Sequence, residues 1–154
     1  MALRGNKEDV AKYLISQGAN LFEKTNVGWT GFHFAARYGH LDVLKAYIGL
    51  KTDVNEKVTS GWTALHLSAF NGFFEIVQCL LEEGAGVDEK TEKDHTALHM
   101  AISCGHPETA KLLLKSGASV NSTTVERWTP LHFATLKGLP DIVQLCLERC
   151  RSIK

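Results

Sequence analysis

The chain has 154 residues, of which 44% are hydrophobic and 22% are charged, and its 17 basic and 17 acidic residues give a formal net charge of zero. This composition is typical of a folded globular protein and excludes a largely disordered chain. A neutral balance gives no general electrostatic reason to expect binding to nucleic acid or to an anionic membrane surface.

No segment approaches the roughly 18 consecutive apolar residues of a membrane helix, so membrane insertion is not expected. The first residues reach Lys7, Glu8 and Asp9 without the apolar run of a signal peptide. The four cysteines are irregularly spaced and do not indicate a disulfide framework. We therefore expect a reducing compartment, the cytoplasm or the nucleus.

One six-residue pattern recurs along the chain with a period of 33 residues. Each copy has threonine in its third position and histidine in its sixth. The copies are Gly28–His33, Gly61–His66, Asp94–His99 and Arg127–His132. A fixed period in the range of about 20–50 residues is typical of stacked-repeat proteins.

The period divides the chain into similar units. Residues 1–24 are interpreted as the second half of a repeat. The units that follow in chain order are 25–57, 58–90, 91–123 and 124–154. In each unit the threonine predicts the start of an inner helix, and a glycine predicts its end. Apolar residues at positions i, i+1, i+4 and i+5 then predict an outer helix. The Gly-Ala pair expected after it is replaced by Lys51-Thr52 in the first full repeat.

A single unit is too small to bury its own apolar stripe, so neighbouring repeats must cover it. In the last outer helix we expect Ile142, Leu145 and Cys146 to lack such a neighbour. The chain is therefore interpreted as a piece of a longer array, or as an array whose end packs on something else. Self-association through uncovered ends is one form of the second interpretation.

The repeat that contains the second copy of the pattern carries a family signal, and the other copies match as well, most fully Thr129–Ala134. The run Thr63–Ala69, followed by Gly72, Ile76-Val77, Leu80-Leu81 and Gly84-Ala85, resembles the ankyrin repeat. The resemblance extends over residues 1–154 and implies a single all-α solenoid of stacked antiparallel helix pairs with projecting hairpin-like loops. It further implies a concave surface of loop tips and inner helices that binds proteins and has no chemistry of its own.

Aromatic residues precede the inner helices at one position of the repeat. They are Trp29, Trp62, His95 and Trp128. The resemblance implies that this position faces the concave groove, where a row of aromatic side chains would anchor a partner. The alternative is that each ring only stiffens the stack. Both roles can hold for one ring that keeps a free face.

Further groove residues are predicted from the same register. They are Lys24, Lys57 and Lys90 at the loop bases, Asn26 and Thr59 at the tips, and Arg37, Tyr38, Phe70, Asn71 and Cys104 on the inner helices. The N-terminal half of this surface is basic and aromatic, which suits an extended segment with acidic and apolar residues. The alternative for the lysines is that they are solvated loop residues, because exposed ion pairs contribute little.

The histidines of the pattern do not predict a metal site. Stacked helices pack roughly 8–10 Å apart, whereas each nitrogen ligand lies about 2 Å from a zinc ion. Equivalent histidines in neighbouring repeats therefore cannot share an ion. We expect each ring to form a hydrogen bond near the start of its inner helix, with the threonine three residues earlier.

No phosphate-binding, nucleophile-elbow or zinc-protease motif occurs, and no catalytic residue or cofactor is predicted. The resemblance implies that Asn55 and Asn121 occupy a loop position that an asparaginyl hydroxylase modifies in ankyrin repeats; the alternative is an ordinary loop asparagine. The predicted function is non-enzymatic binding of a protein or extended peptide in the concave groove. The alternative is a regulatory or anchoring segment of a larger protein, such as a channel, a kinase or another enzyme.

Overall fold

A computed structural model describes residues 17, 18 and 20–152, and this part of the chain contains helices and loops but no strands. The inner helices are α1 (Gly31–Tyr38), α3 (Ala64–Asn71), α5 (Ala97–Ser103) and α7 (Pro130–Leu136). The outer helices are α2 (Leu41–Gly49), α4 (Phe74–Glu82), α6 (Pro107–Lys115) and α8 (Pro140–Ser152). The predicted all-α solenoid of helix pairs is confirmed. Most of the half repeat predicted for residues 1–24 lies outside the described residues.

The inner helices begin where the threonines predict. Thr63 has extended backbone angles, φ −100° and ψ 170°, and its hydroxyl accepts a hydrogen bond from the backbone N–H of His66. The His66 side chain in turn accepts a hydrogen bond from the Thr63 N–H at 3.0 Å. Such reciprocal bonds satisfy donors that the first helical turn leaves unpaired. The same capping box is present at Thr30, Thr96 and Thr129.

The glycine after α3 is required by both backbone and packing. Gly72 has φ +72°, a left-handed conformation that favours glycine. A Cβ placed on it would also overlap the ring of His106, which begins the outer helix of the next repeat. This residue therefore allows a sharp turn and a close approach between repeats at once.

The core runs through the stack between the two helix layers. Leu44, Leu80, Leu113 and Ile142 of the outer helices are completely buried, as is Leu98 of the inner layer. Consecutive inner helices contact each other more extensively than consecutive outer helices do. The inner-helix side of the stack is therefore the concave one, which agrees with the expected geometry of a solenoid.

The expectation for the last outer helix was wrong in part. Ile142 and Cys146 are completely buried, and Leu145 is half-buried. Ile142 and Cys146 correspond in register to Ile76 and Leu80, which are likewise buried in the core of the stack. The outward side of α8 instead carries Leu147, which is exposed.

An open depression of about 580 Å³ lies beside that side chain. Its lining includes Leu139 and Val143.

None of the helices in the described part of the chain has the length and apolar character that crossing a bilayer requires.

Candidate functional site

The hairpin-like loops position the aromatic row. In one of them the Val58 N–H donates to the Trp62 carbonyl at 3.0 Å, and the Gly61 N–H donates to the Val58 carbonyl at 2.8 Å. Neighbouring loops are joined in turn, since the Glu92 N–H donates to the Ser60 carbonyl at 3.1 Å. Each ring is therefore fixed at the junction of a braced loop and an inner helix.

Trp29 packs on the concave side of α1. Its half-buried ring lies 5.0 Å from the ring of Phe34, measured between centroids. The Arg37 guanidinium lies 5.8 Å from the centroids of both Trp29 and Tyr38. These contacts fall within the range of cation–π attraction and hold the guanidinium against a largely exposed aromatic surface.

Trp62 forms one wall of a notch between two repeats. Its ring is half-buried and meets the ring of Phe70 edge-on at 5.6 Å. Together they border a depression of about 320 Å³. Its lining residues are Ser60, Trp62, Phe70, Thr91, Glu92, Lys93, His95, Met100 and Ser103. We refer to this depression as the interrepeat notch.

The aromatic row continues towards the C-terminal end of the stack. Trp128 is 38% exposed and lies 5.1 Å from the ring of Phe133. The His95 ring lies 6.1 Å from the same phenylalanine. The four predicted aromatic positions therefore lie on one side of the molecule, each in contact with its own or a neighbouring inner helix.

Three apolar contributors to this surface were missed from the sequence. Phe34, Met100 and Phe133 occupy one position of the repeat, with the buried Leu67 as its fourth member. The 33-residue register could have revealed them, because each lies five residues after a member of the aromatic row.

The lysines at the loop bases act mainly within the stack. Lys24 pairs with Glu56, and Lys57 pairs with Glu89 at 2.8 Å, so each links its loop to the following repeat. The Lys57 ammonium also donates to the Lys90 carbonyl at 3.2 Å. Lys90 has no carboxylate within ion-pair distance among the described residues, because its register places a serine where the other two repeats have glutamate.

The remaining predicted residues differ in how exposed their side chains are and in whether those side chains already form hydrogen bonds within the stack. Asn26 and Thr59 are exposed at the loop tips, and Tyr38 is 60% exposed. The Asn71 amide donates to the Leu67 carbonyl at 2.9 Å and is therefore occupied by its own helix. Cys104 is half-buried and is not among the residues that line the notch.

The inner helices carry almost no formal charge. None of α1, α3, α5 and α7 contains an aspartate or glutamate, and Arg37 is their only lysine or arginine. Within the described residues, Arg37 has no carboxylate at ion-pair distance. The concave helical surface is therefore apolar and aromatic with one cation near its N-terminal end.

The histidines bond as predicted from the sequence and also connect repeats. His66 Nε2 lies 2.9 Å from the carbonyl oxygen of Glu89, and the corresponding atom of His99 lies 3.1 Å from that of Ser122. Burial lowers the pKa of His66 and of His99 to about 4, despite the hydrogen bonds to backbone carbonyls. Among the described residues, no group of three or more potential ligand side chains converges to hold a metal ion.

The two loop asparagines have different surroundings. Asn55 accepts a hydrogen bond from the Gly86 N–H at 2.7 Å and donates to the Gly84 carbonyl at 3.4 Å, so it bridges to the next loop. Asn121 is exposed. Its amide oxygen has only a long contact, 3.9 Å, with the Cys150 thiol.

Capped helix pairs, braced loops and a shared register define a solenoid of stacked helical repeats. The sequence matches a family described as ankyrin repeats (3 copies) over residues 32–124 and 83–153, and one described as ankyrin repeats (many copies) over residues 1–46. The chain therefore belongs to the ankyrin repeat family, whose repeats are generally protein–protein interaction modules. A comparison with curated proteins found no match.

Proposed function

We propose that this chain binds a protein or an extended peptide along its concave groove, the surface formed by the aromatic row and the inner helices. The observation that carries the proposal is the interrepeat notch, where the partly exposed rings of Trp62 and Phe70 meet beside Met100. Large aromatic side chains that keep a free face are the usual anchors of protein interfaces.

The surrounding surface supports a polypeptide rather than a nucleic acid or a membrane as partner. The chain is neutral overall, and two of its loop-base lysines are already paired with glutamates. Neither a phosphate backbone nor an anionic bilayer would meet the row of cations that it requires. The proposed role is binding without catalysis, and the expected turnover in an assay lacking a partner is zero.

A second candidate is a regulatory or anchoring segment of a larger protein. The open depression beside Leu139, Val143 and Leu147 favours it, because a further repeat or domain could pack there. Determining the full-length reading frame separates this candidate from a free-standing adaptor. Self-association through the same surface stays a prediction, which sedimentation velocity over a range of concentrations would test.

We propose the cytoplasm or the nucleus as the location, supported by four cysteines that are all free thiols. Fluorescence microscopy of the tagged full-length protein tests this location.

Modification of Asn55 and Asn121 by an asparaginyl hydroxylase is likewise a proposal. Asn121 is the more accessible of the two, since Asn55 is held by the next loop. Mass spectrometry after incubation with such an enzyme would show the addition of one oxygen atom at either asparagine.

The groove is tested by affinity capture with three forms of the chain. The wild type is compared with a triple variant in which Trp29, Trp62 and Trp128 are changed to alanine. The matched control is Phe74→Ala, which removes an aromatic side chain that is 40% exposed on an outer helix. Partners should be recovered with the wild type and the control and lost with the triple variant. Equal recovery by all three forms would contradict the groove.

A further inference from the structure

The proposed function leaves open what kind of segment the groove selects, and two features one repeat apart address this question. Phe70 borders the interrepeat notch, and Arg37 occupies the equivalent position of the preceding inner helix, 33 residues earlier. Neighbouring inner helices are spaced by about 8–10 Å, the usual distance for packed helices. The notch lies between Phe70 and the next repeat, on the side of Phe70 away from Arg37. A partner that fills the notch and contacts Arg37 must therefore span about one and a half helix spacings, about 12–15 Å.

The notch suits one large apolar side chain. Its volume of about 320 Å³ lies at the lower end of the range for ligand sites. Trp62 and Phe70 form an aromatic wall, and Met100 supplies an adaptable apolar surface against which different side chains can pack. Leucine, methionine or phenylalanine would bury apolar area there, whereas a short polar side chain would gain little.

The position one repeat earlier suits a carboxylate. Arg37 is held between Trp29 and Tyr38 through contacts of 5.8 Å to each ring, and no carboxylate in the described part of the chain neutralises it. A guanidinium with a planar set of donors binds a carboxylate through paired hydrogen bonds. The inner helices contain no aspartate or glutamate, so a basic side chain would find no carboxylate on them. Glu92, which lines the notch, belongs to a loop two repeats further along the chain.

The spacing limits the length of chain between the two contacts. An extended chain rises about 3.1–3.4 Å per residue, so four or five residues cover about 12–15 Å. Resting on the proposed function, we infer that the groove binds an extended segment with an apolar anchor in the interrepeat notch and a carboxylate four or five residues away at Arg37.

The test is selection from a random-peptide phage library on three immobilised forms of the chain. The wild type should enrich peptides in which a large apolar residue lies four or five positions from an aspartate or glutamate. Arg37→Gln should abolish the carboxylate preference and keep the apolar anchor. Lys115→Gln, which removes an exposed cation on outer helix α6, should retain both preferences.

Binding of an enriched peptide then gives a quantitative measure by fluorescence anisotropy. Arg37→Gln should weaken it roughly tenfold, the effect of one hydrogen-bonded charge, and the loss should shrink at high salt. Phe70→Ala should weaken binding of peptides with and without the carboxylate alike.

Three results would overturn the inference. The first is a carboxylate preference that survives in Arg37→Gln, and the second is enrichment of basic peptides. The third is an anchor-to-carboxylate spacing of eight or more, which would indicate a bound helix. In each of these cases, if Trp62→Ala no longer binds the enriched peptides, the proposed groove is still supported although the inference is wrong. Failure of the wild type to enrich any peptide would overturn the inference and the groove together.

Discussion

His66 Nε2 lies 2.9 Å from the Glu89 carbonyl oxygen, so an imidazole in one repeat is bonded to the backbone of the next. Its other nitrogen accepts the Thr63 N–H at 3.0 Å. These two bonds require a proton on Nε2 and a lone pair on Nδ1, which is a neutral ring. A second proton would remove the acceptor and place a charge between repeats, so the stacking contact depends on neutrality.

The first prediction concerns acid. Burial lowers the pKa of His66 in the folded state to about 4 from the ordinary value of 6.5. The unfolded chain therefore binds a proton below pH 6.5 that the folded chain excludes, and the free energy of unfolding falls as the pH drops from 6.5 towards 4. The slope from this histidine is at most about 1.4 kcal/mol per pH unit.

Urea unfolding at a series of pH values checks this prediction. His66→Gln should flatten the pH dependence in that window relative to wild type, because the variant has no ring to protonate. His99, whose pKa burial lowers to about 4 as well, should retain its own contribution in that variant. Identical slopes for wild type and His66→Gln would show that the histidine is not held neutral.

The second prediction concerns core packing in α4. Leu80→Ala should lower the free energy of unfolding by about 2–5 kcal/mol, because Leu80 is completely buried and its removal leaves a cavity. Leu81 is only half-buried and serves as the matched control, with a smaller loss expected. Chemical denaturation of both variants gives the comparison, and a larger effect at Leu81 would contradict the described orientation of the helix.

The third prediction concerns the turn after α2. Lys51 has φ +64°, where the equivalent Gly84 and Gly117 have φ +90° and +94°. Thr52 has a buried hydroxyl without a hydrogen-bond partner among the described residues, where the next two repeats have Ala85 and Ala118. Changing Lys51 to Gly and Thr52 to Ala should raise the free energy of unfolding by about 1–2 kcal/mol. An unchanged or lower melting temperature would contradict this account.

The fourth prediction reverses the expectation from helix propensity. Alanine is a better helix former than glycine by about 1 kcal/mol, yet Gly31→Ala should destabilise the protein by about 1–3 kcal/mol. The reason is that the new Cβ would overlap the hydroxyl end of Tyr47. This hydroxyl donates to the Leu21 carbonyl at 3.1 Å.

A double variant gives the control for Gly31. In the next two repeats, leucine occupies the position equivalent to Tyr47, and alanine occupies the position equivalent to Gly31. Adding Tyr47→Leu to Gly31→Ala should therefore recover part of the lost stability, as measured by thermal unfolding. Additive losses in the double variant would show that the two side chains do not compete for the same space.

The repeat register was sufficient to predict the fold. Thr63 and Gly72 mark helix boundaries through local hydrogen bonding and backbone conformation, which depend on few residues. The loop lysines were less predictable, because Lys57 contacts Glu89 only after neighbouring repeats have stacked. The burial of Ile142 was missed for a related reason, since the face of a helix that meets its own partner helix depends on its rotation.

The central claim is that the concave side of the stack is its binding surface. The most direct measurement is the affinity of Trp62→Ala for a partner recovered with the wild type, compared with that of Phe74→Ala. The account predicts a loss of about 2 kcal/mol or more, roughly thirtyfold, for Trp62→Ala only, with its fold retained. Unchanged affinity together with a lower melting temperature would show that the Trp62 ring only stiffens the stack, and would contradict the claim.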